Sequence, residues 1–234
     1  MQYLEEQLLQ NTKIRKEKIR RIPLSIEVSP FIEASAKDKL KAREAFSLQN
    51  EDFIVGVIGR LDKQKGQEYL IKALPLIKDQ IPNLRVLLIG EETYGEEGYL
   101  AYLKDLVNSL KVEDLVIFQP FTQDTPTAFR ALDIFMMSSI SEPFGMVTVE
   151  AMATGTPVIG TNSGGTAEIL EGGNLGVLVE PKDEKAIAEA ILKLYTDETL
   201  RENFSKQAQK KVQEKYSHLT QCALFEKTFN ELEQ

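Results

Sequence analysis

The unbroken apolar run Phe53-Ile54-Val55-Gly56-Val57-Ile58-Gly59 constrains this chain more than any other stretch in it. No polar residue alternates with the apolar ones, so the run predicts a strand buried on both faces, as in a parallel sheet. Further apolar runs follow at about 84 to 90, 114 to 119, 133 to 138, 157 to 161 and 175 to 179. Segments of helical periodicity separate them. Leu70, Leu74 and Ile77 recur at spacings of four and three before Pro82 stops the pattern, and Ile187, Ile191 and Leu194 repeat it within 183 to 195. Strands alternating with helices imply right-handed crossovers, hence an α/β fold with a Rossmann-like, doubly wound parallel sheet of about six strands. A short helix is expected over 36 to 46. Two more, over 199 to 216 and 218 to 233, follow the last strand and must cap the sheet or reach beyond it.

Residues 1 to 21 form a charged, helix-compatible lead with six basic residues between Lys13 and Arg21, and Ile22-Pro23 ends it. This lead reads as a linker or interdomain helix whose basic run is a solvated face, leaving 22–234 as the domain. A content of 42% hydrophobic and 27% charged residues is that of a soluble globular chain with a sizeable core. The net charge of -8 argues against phosphate-backbone binding and so against a nucleic-acid partner. A lone Cys222 cannot form an internal disulfide and reads as a small buried hydrophobe. Together with the single histidine, His218, it leaves almost no material for a metal site, and His218 itself reads as a surface or packing residue. No run is long enough to span a bilayer and the polar, acidic start is unlike a secretory signal, so a cytoplasmic location is expected.

In an open parallel sheet, ligands bind in the crevice at the carboxyl ends of the strands, so the loops after apolar runs carry the candidate chemistry. The first is Gly59-Arg60-Leu61-Asp62-Lys63-Gln64-Lys65-Gly66, with Arg60 at a strand end and Lys65 close to the next helix. A guanidinium fork and an ammonium at these positions suit a diphosphate, although either cation alone also fits a solvated loop. The second stretch runs from Ser141-Glu142-Pro143-Phe144-Gly145 through Glu150 to Gly155-Thr156-Pro157-Val158-Ile159, with seven residues between the two glutamates. Phe144, Gly145, Met146 and Val147 are expected in a first helical turn, where amides lack helical partners and can meet phosphate or sugar oxygens. Glu150, four residues after Met146, shares that face and can accept from a ribose diol, while Glu142 can orient a sugar hydroxyl. Each glutamate alone also fits simple complementation of the helix dipole. Gly164-Gly165-Thr166 reads as a turn opening the next helix, with a sugar-contacting loop as the alternative. No Gly-x-Gly-x-x-Gly follows the first strand, which disfavours a dinucleotide-dependent oxidoreductase.

These two motifs, in this order, resemble the donor-binding domain of retaining group 1 glycosyltransferases of the GT-B fold, over about residues 20 to 234. The resemblance implies one half of a GT-B fold and transfer of a hexose from a nucleoside diphosphate sugar to an acceptor. It places Arg60 and Lys65 on the donor diphosphate, Glu142 on the transferred sugar and Glu150 on the ribose, with Gly59 and the amides near Phe144, Gly145, Met146 and Val147 completing the substrate contacts. It further implies metal independence and no cofactor, in keeping with the lack of any Asp-x-Asp in the sequence. The acceptor domain of such enzymes has no counterpart before residue 21, so the chain is expected to be inactive alone and to need that domain in cis or in trans, and any membrane contact would run through it. An alternative is a catalytically silent donor-domain subunit that pairs with a separate acceptor-domain protein. Pro120 stands where the family often has glycine, near where the nucleobase should pack, which leaves the base open, and the loop 91 to 98 is more acidic than a dianionic donor would favour.

Overall fold

β-Branched, leucine and aromatic side chains dominate the apolar runs, and each run forms a strand because helices cover it on both faces. The computed structural model describes residues 2–32 and 36–232. Helix α1 (Gln2–Asn11), the short α2 (Ser29–Ile32) and α3 (Ala36–Ala45) precede the first strand, β1 (Phe53–Ile58). There follow α4 (Gln67–Ile77), β2 (Leu84–Ile89), α5 (Tyr99–Ser109), β3 (Val116–Gln119), α6 (Thr125–Ala131) and β4 (Ile134–Met137). The second half comprises α7 (Met146–Thr154), β5 (Val158–Thr161), α8 (Gly164–Ile169), β6 (Val177–Val179), α9 (Glu184–Thr196), α10 (Glu198–Lys215) and α11 (His218–Leu232). Met1 of the 1–21 lead, and Glu233 at the end of the helix expected over 218 to 233, lie outside the described residues.

The six strands form one parallel sheet in the order β3-β2-β1-β4-β5-β6. Side chains along β1 alternate between two cores. Ile54 and Ile58 join a cluster with α6, α7 and α10, whereas Val55 and Val57 join one with α4, α5 and α9. A polar residue at any of these positions would bury an unmatched group, which explains why the run is apolar throughout. Strand order reverses between β1 and β4, and at that switch point the loops after the two strands diverge and leave a crevice.

α1 has no buried residue and lies along α8, with the Gln2 amide donating to a Glu168 carboxylate oxygen at 2.6 Å. Beyond residue 21 the chain is fastened to the start of α11: Gln221 donates to the Pro23 carbonyl at 2.8 Å and Ser25 to Gln221 at 2.8 Å. Cys222 is exposed, contrary to its reading as a buried hydrophobe, because α11 turns this position outward. No helix among the described residues is long and apolar enough to cross a membrane.

Candidate functional site

Three strand-end loops meet at the crevice. After β1 the chain enters a single 3₁₀ turn, Lys63–Lys65, capped by the buried Asp62, whose carboxylate accepts from the Lys65 amide at 2.9 Å. Gly66 then reverses the chain with φ of 65°, and a methyl placed on it would lie 2.3 Å from the Ser138 carbonyl oxygen. Only glycine combines that left-handed backbone with so close an approach. Ser138, just past β4, donates to the Lys65 carbonyl at 2.7 Å, and the Ile140 amide donates to the Gln64 carbonyl at 2.8 Å. The loop after β5 closes the set: Thr161 donates to the Ser139 carbonyl at 2.6 Å and Ser163 to that of Ile140 at 2.9 Å.

Within this frame the two cations are held differently. The Arg60 side chain is 62% exposed and forms an ion pair with Asp62 at 3.4 Å. The Lys65 ammonium donates to Glu142 Oε2 at 2.6 Å, on side chains 22% and 11% exposed. Ser139 also donates to Glu142 Oε2, at 3.3 Å. Glu142 is fixed through its main chain, since its carbonyl accepts from the Gly165 amide at 2.7 Å. Gly164, with φ of 54°, passes so near that a methyl there would lie 2.2 Å from the same oxygen. The Gly164-Gly165-Thr166 step thus opens α8, as the turn reading expects, and also braces Glu142.

A cavity of about 180 Å³ lies at the ends of β1 and β4, and Gly59, Arg60, Lys65, Ser138, Ser139 and Val147 share its wall. Gln67 also lines it. This fully buried side chain donates to the Arg60 carbonyl at 2.7 Å, while its Oε1 has no partner among the described residues. An orphaned acceptor on a residue of the cavity wall suits a hydroxyl or ammonium donor.

The helix beside the cavity begins later than expected. α7 starts at Met146 with Gly145 as its N-cap at φ of 98°, so only Met146 and Val147 of the four expected residues lie in the first turn. Phe144 stays outside because its ring is buried, edge-on to Tyr216 at 6.1 Å. The Thr148 and Val149 amides reach the Gly145 carbonyl at 2.9 and 3.4 Å, whereas those of Gly145, Met146 and Val147 have no partner among the described residues. That cluster of N–H groups at the positive end of a helix favours an anion.

Glu150 lies one turn beyond and off the cavity wall. It accepts a hydrogen bond from Thr125, at the start of α6, and its Oε2 is buried without a partner among the described residues. Burial pushes its pKa above the ordinary carboxylate value, and the Thr125 hydrogen bond offsets part of that rise. The structure therefore gathers Gly59, Arg60, Lys65 and Val147 around one space, ties Glu142 to Lys65, and sets Glu150 to one side. Sequence reasoning missed Gln67, Ser138 and Ser139. The serines carry a signal, since they directly follow the apolar run 133 to 137 at a strand's carboxyl end.

Residues 38–211 match the family described as Glycosyl transferases group 1. An uncharacterized glycosyltransferase of Methanocaldococcus jannaschii is 35% identical over 188 residues, covering 80% of this chain and 47% of the relative. The crystal structure of Anabaena Alr3699/HepE in complex with UDP and glucose superposes with a TM-score of 0.88 at 29% identity, covering 97% of this chain and 60% of that one. The C-terminal domain of a group 1 glycosyl transferase from Francisella tularensis matches at a TM-score of 0.73 and 28% identity, over 82% of this chain and 99% of that domain. The chain spans about half the length of the curated relatives it matches.

Proposed function

The chain belongs to the group 1 glycosyltransferases, with the Rossmann-like half of a GT-B fold, and on that premise we propose that its strand-end crevice binds a nucleoside diphosphate sugar. The reaction of the complete enzyme is then transfer of a hexose from that donor to an acceptor held by a second domain, in cis or in trans. One observation carries the reading: Arg60, Lys65 and the amino end of α7 converge on a single cavity at the sheet's switch point, with Glu142 in contact with Lys65. The Anabaena neighbour, crystallised with UDP and glucose, supports the ligand class.

In this reading the donor diphosphate lies between the Arg60 guanidinium, the Lys65 ammonium and the free amides of Gly145 to Val147. Charge develops on the diphosphate as the sugar departs, so cations and N–H dipoles gathered around it stabilise the transition state more than the ground state. We assign all of the phosphate charge to these groups and so require no metal. Glu150 accepts from the ribose diol, Glu142 from hydroxyls of the hexose, and transfer retains the anomeric configuration. The 234-residue chain alone binds the donor and transfers little. Titration calorimetry with UDP, GDP and ADP tests this: measurable affinity for one of them at or below millimolar concentration is expected, and no binding to any overturns it.

A further inference from the structure

In this structure the ammonium best placed for a diphosphate is already neutralised. Lys65 Nζ and Glu142 Oε2 are 2.6 Å apart, on side chains 22% and 11% exposed. The two partners differ in freedom. Glu142 is held at its carbonyl by the Gly165 amide and pressed by the Gly164 backbone, and Ser139 takes a further hydrogen bond to the same carboxylate oxygen. Lys65 carries its charge on a four-carbon stem that lines the cavity, so it can turn toward an anion while the carboxylate stays behind.

We propose that Glu142 acts as a discriminator between intact donor and spent nucleotide, by withholding Lys65 from any diphosphate that brings no sugar hydroxyls in exchange. This rests on the donor-binding reading given above. A bare diphosphate ends in a phosphate with one more ionisable oxygen than a sugar ester has. When it draws Lys65 across, that extra charge faces a mostly buried carboxylate whose Lys65 partner has left, and like charges in such surroundings repel strongly. An intact donor offers the same diphosphate with one charge fewer. It also carries hexose hydroxyls that donate to Glu142 and replace what Lys65 withdrew. The pair thus raises the cost of holding product without raising that of holding substrate, which favours release once the sugar has gone. Were Glu142 only a contact to sugar hydroxyls, loss of its carboxylate would leave the bare nucleotide unaffected; the ion pair with Lys65 changes that expectation to a gain.

Calorimetry on the full chain with UDP and UDP-glucose, for wild type and Glu142→Gln, tests the proposal. Glu142→Gln is expected to tighten UDP by about five- to tenfold, while UDP-glucose is unchanged or weakens, so that the preference for the sugar nucleotide falls at least about fivefold. Lys65→Met in the Glu142→Gln background should abolish that gain, because the gain comes from releasing Lys65. Circular dichroism and melting of each variant establish that folding is intact, and Glu142→Asp, with a shorter reach, should give an intermediate change if Glu142→Gln fails to fold. Unchanged or weakened UDP affinity in folded Glu142→Gln overturns the inference while leaving the donor-binding reading in place. Wild-type protein that binds neither nucleotide overturns both.

Discussion

Arg60 and Lys65 come from one short loop, yet their surroundings assign them different sensitivities. Arg60 is 62% exposed and lies near a single carboxylate, so removing its side chain disturbs little else. Arg60→Ala is expected to weaken nucleoside diphosphate binding by about ten- to a hundredfold, the effect of losing one or two charge-assisted hydrogen bonds of about 1.5 to 3 kcal/mol, and to leave the melting temperature nearly unchanged. Calorimetry and thermal melting on the same sample separate the two effects, and a loss of affinity no greater than twofold would remove Arg60 from the diphosphate. Glu150 behaves in the opposite sense. Its folded pKa is raised by burial, so well below the ordinary carboxylate pKa both folded and unfolded chains hold the proton and burial of the neutral acid adds no charge penalty. As pH rises the unfolded chain ionises first, and stability falls until the raised folded value is passed. Glu150→Gln should therefore raise the melting temperature at pH 7 to 8 by roughly 2 to 4 °C, the shift about 1 kcal/mol produces in a domain of this size. The difference should vanish near pH 3, below the ordinary value of about 4.3. An equal difference at both pH values would dissociate it from ionisation.

At the scale of elements, the site depends on how strand-end loops are tied to one another. The turn after β1 is bonded to the loop after β4 through Ser138 and Ile140, and the latter to the loop after β5 through Thr161 and Ser163. Gly66 sits at the first of these junctions, where an added methyl would lie 2.3 Å from the Ser138 carbonyl oxygen. Gly66→Ala adds a left-handed backbone penalty of about 1 to 2 kcal/mol and an overlap with a carbonyl that typically costs about 1 to 3 kcal/mol. A total loss of about 2 to 5 kcal/mol in urea unfolding is expected, together with weaker nucleotide binding as Lys65 shifts. A folded Gly66→Ala protein of wild-type stability would show that this loop is not rigidly seated. The late start of α7 belongs to the same scale. Phe144 leaves the helix because its ring finds Tyr216 at the end of α10, a partner 72 residues away that no local pattern announces.

For the whole molecule, the sheet binds two cores into one unit, because β1, β2, β4 and β5 each send side chains to both faces. Unfolding either face exposes the strands that complete the other, so a single cooperative transition is expected. The chain has seven tyrosines and no tryptophan, so urea curves followed by tyrosine fluorescence and by far-ultraviolet circular dichroism should coincide. Separated midpoints would mean that the two helical layers melt independently. Outside those cores, α11 presents Leu219, Phe225 and Phe229 to the exterior, so this helix owes little to burial of its own apolar residues. The sequence alone determined the six strands, their parallel arrangement and the loops that carry the charged groups. A strand covered on both faces must be apolar at every position, and a crevice needs its ligand groups at strand ends; both are local, repeating conditions. Only the tertiary structure decided that Lys65 and Glu142 are partners, that Gln67 holds the Arg60 backbone, that Phe144 serves the core and that Cys222 faces outward. Those outcomes depend on distances between residues far apart in sequence, and a charge, an amide or a ring carries no mark of which neighbour the folded chain will bring to it.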